Sequence, residues 1–539
     1  MAQPSAQESM GRVGLPAPVQ ELARRPWDAV IVGGGHNGLA AAAYIARAGR
    51  RVLVLEARER LGGACTLEQP FDDPRWHVSP CAYLVGLLHP LVVEELGLAR
   101  HGYSVQVVDP HLWCPLEDGS TLTLWDDPVR SAAEVAAVSP GDVDGYLAYE
   151  GLFARLRRAL RGPGPTGDTW LGDSPTQEEL VARLGGDGEA VDVVLGASIA
   201  DVLEHHVKDS RLRTALHGQG IIGTYAGPRD AGTAAVHAMH ASGTLDGKGG
   251  AWGYVRGGMG RVSFALADAA RAAGAVVATG IPVAAIVPGE GVVLEGGETI
   301  RADAVVSNAD PKRTLALCSG DVPGRYRRRL EEWRIDSPVV KVNCGLVRLP
   351  RFVAAADDTP FRAMVTISSG VDDTQAACAA SRRGVPSPAW CELYFQTAYD
   401  PTIAPNSRHT MSVFAQYAPY RLAEGDWSKR REEIGDLVLA SIARFAPDVV
   451  DVVEERQVLG PPDIEARTGL TGGHIFQGEC LPDQMWERRL TPRTPVPGLY
   501  LCGAATHPGG SVIGANGRNA AMVVVADLAA QRGANADPA

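Results

Sequence analysis

A glycine-rich segment near the amino terminus constrains the fold of this chain more than any other feature. It fits the spacing G-x-G-x-x-G, whose three glycines are Gly33, Gly35 and Gly38. An apolar run at 28–32 precedes it, and an alanine-rich run to about Arg47 follows, ahead of a second apolar run at 52–55. A strand, a tight glycine turn, a helix and a parallel strand are the parts of a βαβ unit. This spacing therefore predicts a dinucleotide-binding unit at the start of an α/β fold.

Each residue of the glycine loop has a mechanical task in such a unit. Gly33 allows the tight turn, Gly35 lets the backbone approach a pyrophosphate, and Gly38 lets the helix pack closely on the sheet. The helix then presents unpaired N–H groups and the positive end of its dipole to the phosphates. His36 and Asn37 lie inside the loop, so we expect them at the cofactor as local hydrogen-bonding groups.

A carboxylate and a second pair of glycines follow at the expected distance. Glu56 ends the second predicted strand, where its side chain can accept hydrogen bonds from ribose hydroxyls. Arg60, Gly62 and Gly63 come next and complete the pattern E-x-x-x-R-x-G-G. The glycines let the chain pass close to the adenosine-side phosphates, and the arginine can neutralise them or stack there. This continuation favours FAD over NAD as the dinucleotide.

The carboxyl-terminal segment has the features of a second half of the same site. A predicted strand at 499–502 leads through a glycine-rich loop into an alanine-rich helix from about 514 to 531. A helix amino terminus directed at the flavin ring would stabilise negative charge on the reduced ring. The two ends of the chain together therefore predict one bound FAD.

The composition excludes several other classes of protein. The formal net charge of −12 argues against a nucleic-acid partner, because a phosphate backbone requires a clustered positive field. The nine cysteines are all at least 13 residues apart, which excludes C-x-x-C zinc sites and a C-x₄-C disulfide relay. His205 and His206 have no companion ligands in the surrounding sequence, so we expect no metal site.

The sequence shows no signal for secretion or for a membrane span. Residues 1–26 contain no apolar h-region, and the longest apolar run, 81–93, is interrupted by Gly86, His89 and Pro90 and is too short for a bilayer. The odd number of cysteines suits a reducing compartment. We therefore expect a cytoplasmic protein with at most peripheral membrane contact, and we find no pattern that indicates its oligomeric state.

Segments of α/β character at the start, middle and end of the chain predict one discontinuous domain with a second domain inserted into it. We assign residues 27–90, 253–315 and 490–531 to the FAD-binding domain, and 91–252 and 316–489 to a substrate-binding and helical domain. Residues 1–26 and 532–539 are predicted to be a flexible segment and a disordered tail. Within the inserted domain we predict a turn at 161–167, strands at 338–348, 391–397 and 410–417, and a helix at 426–445.

Several longer segments of the sequence are similar to those of a known family. Over about residues 27–531 it resembles the phytoene desaturase-like branch of the FAD-dependent oxidoreductases. The resemblance is carried by the glycine loop with His36 and Asn37, by the HPGG-type carboxyl-terminal loop, and by the segments 250–260, 306–309, 414–420, 461–465 and 472–476. It implies a glutathione-reductase-type FAD-binding domain, which is Rossmann-like, with an inserted α+β substrate domain.

The same resemblance implies positions for further cofactor contacts. Val283 should meet the adenine through its backbone, on the strand predicted at 283–287. Gly503 should line the ribityl chain and the isoalloxazine ring, together with the segment Ser511, Val512 and Ile513. Ala504 stands where many flavoproteins of this superfamily carry an acid, which favours the desaturase-like branch over amine oxidases and disulfide reductases.

Three residues are candidates for catalysis on the substrate side. His507 lies in the loop nearest the predicted flavin, His474 lies in a glycine-rich turn, and Tyr254 leads into the junction at 257–260. Each of them suits a structural role at least as well, since a histidine can fix a loop and an aromatic ring can pack an interface.

The leading functional interpretation is dehydrogenation, that is desaturation, of a C–C bond in a lipophilic small molecule by hydride transfer to flavin N5. The lipophilic substrate is implied by the resemblance alone. Because the sequence shows neither a second unit of strand, G-x-G-x-x-G loop and helix nor a disulfide relay, we expect the electrons to pass to oxygen or to a quinone.

Two alternatives remain open from the residues. The first is an amine- or alcohol-type flavin oxidase, and the second is a flavin-binding regulatory protein with little turnover. An apolar, aromatic-poor tunnel would favour desaturation. An aromatic cage with a lysine near the flavin would favour amine or alcohol oxidation.

Overall fold

The apolar runs on both sides of the glycine loop form neighbouring parallel strands. The structure is a computed structural model that describes residues 9–162 and 167–536. Its strands in chain order are β1 (Trp27–Val32), β2 (Val52–Glu56), β3 (Val105–Val107), β4 (Leu112–Pro115), β5 (Thr121–Leu124), β6 (Thr244–Leu245), β7 (Lys248–Gly249), β8 (Gly253–Val255), β9 (Val276–Thr279), β10 (Val283–Val287), β11 (Gly291–Leu294), β12 (Thr299–Ser307), β13 (Val339–Leu346), β14 (Val365–Ser368), β15 (Trp390–Tyr394), β16 (His409–Gln416), β17 (Val453–Leu459) and β18 (Leu499–Leu501).

The helices alternate with these strands in the FAD-binding segments and cluster together between β5 and β6. In chain order they are α1 (Val19–Arg24), α2 (His36–Arg47), α3 (Pro90–Leu96), α4 (Pro128–Val138), α5 (Val143–Leu160), α6 (Gln177–Arg183), α7 (Gly188–Leu195), α8 (Ile199–His206), α9 (Ser210–Leu216), α10 (Thr233–Ala241), α11 (Gly260–Ala272), α12 (Pro311–Leu317), α13 (Gly324–Glu331), α14 (Thr359–Arg362), α15 (Val371–Arg382), α16 (Trp427–Ala443), α17 (Pro461–Thr468) and α18 (Ala515–Ala536).

The first sheet joins strands from all three parts of the predicted FAD-binding domain. Its order is β10-β11-β12-β1-β2-β9, and β18 pairs with the carboxyl-terminal end of β12. The pairs β12–β1, β1–β2, β2–β9 and β12–β18 are parallel, whereas β10, β11 and the start of β12 form an antiparallel ribbon. Parallel strands need a crossover between them, and α2 supplies that crossover between β1 and β2.

Both faces of this sheet are covered, which explains why its strands are apolar without alternation. Ala29 and Ile31 pack against α2, α11 and α18, whereas Val30 and Val32 pack against α1 and the antiparallel ribbon. Successive side chains of a strand point to opposite faces, so a strand buried on both faces is apolar throughout. The small residues of α2 let that helix lie close to the sheet and to α18.

The second sheet has seven strands and two differently packed faces. Its order is β17-β13-β16-β15-β14-β4-β5, and all pairs are antiparallel except β14–β4. One face packs on α16 through residues such as Val340 and Val342. Because side chains alternate along a strand, Val339 and Lys341 of the same strand point to the other face. The helices α4 to α10 form their own apolar cluster beside this sheet.

The predicted elements are present, with shifted bounds. The strand predicted at 391–397 ends at Tyr394, and Asp426 is the N-cap residue of α16 without a side-chain capping bond. Helix α1 lies within the segment 1–26 that we predicted to be flexible, and α18 continues to Ala536, into the predicted tail. Residues 1–8, 163–166 and 537–539 of the predicted terminal segments and turn lie outside the described residues.

The domain boundaries themselves stay a prediction, although strand pairing supports their general scheme. Strand β4, from residues 91–252, pairs with β14, from residues 316–489, so both predicted inserts contribute to one sheet. Among the described residues, no helix is both long and apolar enough to cross a membrane.

Candidate functional site

A long groove runs along the carboxyl ends of the parallel strands, where ligands of open α/β sheets bind. It begins at the β1–α2 turn and encloses about 1440 Å³, including its open mouth. Gly33 takes a φ of 103°, which glycine adopts readily, and helix α2 starts directly afterwards with its amino terminus at the groove.

The glycine spacing is required by close packing around Asn308. A Cβ on Gly38 would lie 2.3 Å from the carbonyl oxygen of Gly33, and a Cβ on Gly35 would lie 2.7 Å from Asn308 Nδ2. Asn308 Nδ2 also donates a hydrogen bond of 3.3 Å to Gly33 O. The loop, the start of α2 and the end of β12 therefore fit together only when these positions lack side chains.

Most of the predicted cofactor residues line this groove. They are Gly33, Gly35, His36, Asn37, Glu56, Gly62, Gly63 and Val283. Ser511 and Val512 instead line an adjoining cavity, which His36 also borders. These placements bring residues from both ends of the chain and from the middle segment to two adjoining cavities.

Four predicted cofactor residues lie behind the lining of the groove. Gly38 packs on the loop as described above, and Gly503 leaves no room for a side chain because a Cβ there would lie 2.2 Å from Gln477 Oε1. Ile513 is fully buried, and its carbonyl accepts a hydrogen bond from the backbone of His89. Arg60 donates to the carbonyls of Met10 and Leu67, so its guanidinium fixes the chain behind the phosphate loop.

Arginines other than Arg60 reach the groove. Arg58, Arg313 and Arg467 line the groove. Two of them form ion pairs with Glu68. Arg58 Nη2 donates to Glu68 Oε1 at 2.6 Å, and Arg467 pairs with Glu68 Oε2. The prediction for Arg60 rests on the E-x-x-x-R spacing, whereas Arg58 is separated from Glu56 by only one residue.

Glu56 holds the glycine loop in place as well as facing the groove. Its Oε2 accepts a hydrogen bond of 2.7 Å from Gly34 N, and its Oε1 accepts one of 2.9 Å from Arg58 N. Burial raises the pKa of this carboxyl, and the backbone donors act in the opposite direction. A carboxylate has further lone pairs, so it can still accept from ribose hydroxyls.

Several buried polar atoms of the groove are unsatisfied by the described residues. His36 Nε2, Asn37 Oδ1 and Arg58 Nη1 are buried and have no hydrogen-bond partner within the described part of the chain. Buried polar atoms are paired in the great majority of proteins, so an orphaned set on one groove points to a polar ligand. The donors, the acceptor and the start of α2 fit a dinucleotide with its pyrophosphate, which agrees with FAD.

Another cavity, here called the inner chamber, adjoins this groove. It encloses about 900 Å³ and shares His36, Ala64 and Ile475 with the groove. Half of its lining residues are aliphatic, cysteine, alanine or methionine. Those residues are Ala64, Cys65, Cys81, Ala82, Leu84, Ile222, Val339, Met364, Ile464, Ile475 and Val512. An apolar compartment next to a redox cofactor suits a lipophilic ligand and excludes water from the reacting groups.

The wall of the inner chamber also contains an aromatic group that the desaturase prediction did not foresee. Its aromatic residues are Tyr83, Trp252, Tyr394, Phe414 and Phe476. The rings of Tyr83 and Tyr394 lie 4.4 Å apart, and Tyr83 also packs on Phe414. The chamber is therefore apolar without being aromatic-poor.

Two buried ionisable residues project from the sheet into this chamber. Lys341 of β13 and Glu392 of β15 both lie opposite Phe414 of β16 in the strand register, so the three side chains form one row across the sheet. Neighbouring strands are about 4.8 Å apart, which places Lys341 and Glu392 on either side of Phe414 rather than in direct contact. Sequence reasoning missed both residues.

Each of these ionisable groups has its own polar partners. Lys341 Nζ donates a hydrogen bond of 2.6 Å to Ser412 Oγ and lies 4.0 Å from the centre of the Tyr83 ring. The Glu392 carboxyl accepts from Tyr394 OH and, at 2.9 Å, from Gln219 Nε2. Burial lowers the pKa of Lys341 to about 7 and raises the pKa of Glu392 to about 7. Both groups can therefore change protonation near neutral pH.

None of the predicted catalytic residues borders the inner chamber. His507 is buried, and its Nε2 makes a hydrogen bond of 2.6 Å with the carbonyl of Thr169. His474 is buried, and its Nδ1 accepts from Phe476 N at 3.2 Å. Tyr254 packs against the ring of Tyr399 and faces a separate small cavity. Buried backbone in glycine-rich turns needs polar partners, which accounts for both histidines.

The expectation that His205 and His206 lack a companion ligand is wrong. Glu189, from the preceding helix α7, accepts a 2.5 Å hydrogen bond from His206 Nε2, and the ligand atoms of all three residues lie within 4.8 Å of one another. Arg155 also pairs with Glu189 at 3.6 Å. The sequence did not reveal this cluster because Glu189 reaches it by the packing of two helices.

Comparison with known proteins assigns the fold and site to a family. Residues 31–89 match the NAD(P)-binding Rossmann-like domain, and residues 205–525 match the flavin containing amine oxidoreductases. The second match covers more than half of the chain, so the chain belongs to the flavin containing amine oxidoreductase family. It is an FAD-dependent oxidoreductase, as the glycine loop and the orphaned polar atoms indicated.

Curated relatives extend over nearly the whole length of the chain. Pyridine nucleotide-disulfide oxidoreductase domain-containing protein 2 of Rattus norvegicus is 35% identical, over 93% of this chain and 94% of its own. Hydroxyneurosporene desaturase of Cereibacter sphaeroides is 28% identical, over 93% and 98%. A limonene dehydrogenase subunit of Castellaniella defragrans is 26% identical, over 93% and 95%. The resemblance to the phytoene desaturase-like branch is thereby confirmed.

Solved structures confirm the fold. Putrescine oxidase with bound putrescine superposes with a TM-score of 0.60 at 17% identity, covering 94% of this chain and 99% of that one. An oxidoreductase of Methanosarcina mazei superposes with a TM-score of 0.55 at 17% identity, covering 93% and 100%. At such low identity these likenesses concern the architecture alone, which is an FAD-binding Rossmann-like domain with an inserted domain.

Proposed function

We propose that this oxidoreductase dehydrogenates a C–C bond of a lipophilic small molecule. The observation that carries the proposal is the inner chamber, whose largely apolar wall adjoins the cofactor groove at His36, Ala64 and Ile475. Burial of apolar substrate surface there contributes about 25 cal/mol per Å² and holds the reacting carbon beside the cofactor. Relatives named as a limonene dehydrogenase and a hydroxyneurosporene desaturase support the same chemistry.

In this proposal the cofactor and the protein have different roles. FAD supplies the acceptor for the hydride that leaves the substrate carbon. The chain binds FAD along the groove, orients the substrate in the inner chamber and excludes water. Tyr394, Glu392 and Gln219 form a hydrogen-bonded set in the chamber wall that can take up or release a proton near neutral pH.

We further propose oxygen or a quinone as the electron acceptor, with no nucleic-acid partner and at most peripheral membrane contact. The net charge of −12 supports the exclusion of nucleic acid. The cysteines support the exclusion of a disulfide relay, because all nine are free and all but Cys318 are buried. Burial raises the pKa of Cys65 and of Cys344 to about 12, which keeps both thiols protonated and unreactive.

A second candidate function is oxidation of a C–N or C–O bond. It is favoured by one observation, the placement of Lys341 beside Tyr83, Tyr394 and Phe414 in the inner chamber. This is the lysine with aromatic rings that the sequence analysis associated with amine or alcohol oxidation. A neutral Lys341 amine could accept a proton from an ammonium or hydroxyl substrate.

Anaerobic reduction of the purified holoprotein tests the two candidates together. We would mix it with the hydrocarbons limonene and squalene, or with the amines putrescine and benzylamine, and follow the flavin absorbance near 450 nm. Bleaching by a hydrocarbon, with a dehydrogenated product, supports the first proposal, whereas bleaching by an amine alone overturns it in favour of the second. If dithionite bleaches the flavin and no compound of either class does, the regulatory alternative gains support.

A further inference from the structure

Three potential metal ligands lie together in the helical region of the inserted domain. Glu189 is in the first turn of α7, and His205 and His206 end α8. One ligand atom of each, a carboxylate oxygen or a ring nitrogen, lies within 4.8 Å of the other two. None of the three residues lines the groove or the inner chamber, so this cluster has no part in the proposed function.

Helix α5 brings the ends of α7 and α8 together. Both helices pack on α5 within one apolar cluster, through residues such as Val193 and Leu203. A Cβ on Gly145 of α5 would lie 1.9 Å from the carbonyl oxygen of His206, so this glycine lets the end of α8 approach α5 closely. The packing of three helices therefore determines where the three potential ligands lie.

His206 is held in one orientation by its neighbours. Its side chain is only 9% exposed, and its ring packs edge-on against Tyr149 of α5 at a centroid distance of 6.3 Å. The ring also packs edge-on against the ring of His205 at 5.0 Å, and its Nε2 lies 2.5 Å from Glu189 Oε1. A side chain whose rotamer is already fixed loses little conformational entropy when it binds a metal ion.

The second histidine distinguishes this cluster from a simple ion pair. His205 is exposed, and none of the described residues makes a hydrogen bond to its ring. A pair of His206 and Glu189 needs no further imidazole, whereas an open zinc site takes three protein ligands. The end of α8 also favours a cation, because the carboxyl end of a helix dipole is negative. Imidazole nitrogens with one carboxylate suit Zn²⁺ and similar transition metals better than Mg²⁺ or Ca²⁺.

Arg155 of α5 is the cation that competes with a metal ion for Glu189. Its Nη2 lies 3.6 Å from Glu189 Oε2, whereas its Nε makes a shorter hydrogen bond of 2.9 Å with Asp187. Asp187 therefore holds the guanidinium, and Arg155 makes only a long contact with Glu189. Ion pairs of this kind between partly exposed side chains contribute little stability, so a metal ion can displace the contact.

We propose that Glu189, His205 and His206 bind one divalent transition-metal ion of the zinc type, which joins α7 to α8. Two ligand atoms of a tetrahedral zinc ion lie about 3.4 Å apart, so the His206–Glu189 pair opens by about 0.9 Å and the His205 ring closes on the ion. Glu189 and His205 can make this adjustment because their side chains are half-buried and exposed, respectively. The fourth position is left to water, as in other sites with three protein ligands.

Titration of the holoprotein with Zn²⁺, after treatment with EDTA and without a polyhistidine tag, tests the site. Isothermal titration should show one Zn²⁺ per chain. Glu189→Gln, His205→Gln and His206→Gln should each weaken zinc binding about tenfold or more, because each removes one ligand. Co²⁺ should give the strong visible absorbance of a four-coordinate ion in the wild type, and a weaker one in these variants. His101→Gln is the control, since His101 lies beside the FAD-binding sheet and should not affect zinc binding.

Two results would overturn this proposal. If the wild type shows no saturable binding of Zn²⁺, the cluster is an ion pair with a neighbouring histidine. If Zn²⁺ binds but any of the three ligand variants keeps the wild-type affinity, the proposed set of ligands is wrong. Retention of flavin by each variant shows that its fold is intact, because FAD binds at other residues. Neither result depends on flavin reduction, so the metal site and the proposed function can fail independently.

Discussion

The ammonium nitrogen of Lys341 lies 4.0 Å from the centre of the Tyr83 ring, on the wall of the inner chamber. The ring face and Ser412 Oγ are the polar environment of a side chain that is only 1% exposed. A cation gains from an aromatic face, but less than it loses by leaving water. The pKa of Lys341 therefore falls to about 7.

We predict that Lys341→Met stabilises the protein at pH 6 by about 2 kcal/mol, because it removes a buried charge. The pKa of Lys341 is about 7 in the folded protein and 10.5 in the unfolded chain. Between these two pH values, Lys341 carries a proton in the unfolded state but not in the folded state. The stability of the wild type therefore rises with pH through this window, and the advantage of the variant shrinks. Urea unfolding at pH 6 and pH 10 measures the difference, with the exposed Lys429→Met as control. If Lys341→Met were more stable than the wild type by the same amount at pH 6 and at pH 10, the lowered pKa of Lys341 would be contradicted.

We predict the opposite pH dependence for Glu392→Gln. Burial raises the pKa of Glu392 from 4.5 to about 7, so in this window the folded state binds a proton that the unfolded state has released. The stability of the wild type falls as pH rises from 4.5 to 7, and the variant should be more stable by about 2 kcal/mol at pH 8 but not at pH 4.5. Thermal unfolding at these pH values tests this, with the exposed Glu178→Gln as control.

We predict that Gly38→Ala weakens FAD binding about tenfold. The new Cβ would lie 2.3 Å from Gly33 O and would displace the phosphate loop from the start of α2. The ratio of flavin to protein absorbance after gel filtration measures the loss. Gly141→Ala is the matched control, since a Cβ there meets no described atom within 4 Å. Full retention of flavin by Gly38→Ala would show that the loop is not at the cofactor.

The sequence was sufficient to predict the cofactor half of the site because that half is built from local elements. The glycines, the start of α2 and Glu56 lie within one βαβ unit, where spacing along the chain determines position in space. Val283 is different, since its place in the groove follows from the ribbon β10–β11–β12 and was predicted only through the family resemblance.

The inner chamber could not be predicted in the same way because its residues come together across the second sheet. Lys341 and Glu392 lie on strands that are separated by β16, and only the register through Phe414 places them in one row. One signal was present in the sequence, namely a single charged residue within each of two apolar strands. A buried strand tolerates such a residue only when a partner or a function compensates for its burial.

The last prediction concerns His507, which the sequence favoured as a catalytic residue. Its Nε2 makes a hydrogen bond with Thr169 O and so ties the loop after Gly503 to the helical region. Burial lowers the pKa of His507 to about 4, which leaves the ring neutral at pH 7. We therefore predict that His507→Ala lowers the temperature at which FAD is released and changes the rate of flavin reduction less than about twofold. If His507 took part in proton transfer, that rate would fall by about 10²- to 10⁴-fold. Stopped-flow reduction by the substrate identified in the anaerobic test, normalised to bound flavin, separates the two roles. His507→Gln, which retains an N–H donor for Thr169 O, should restore the release temperature.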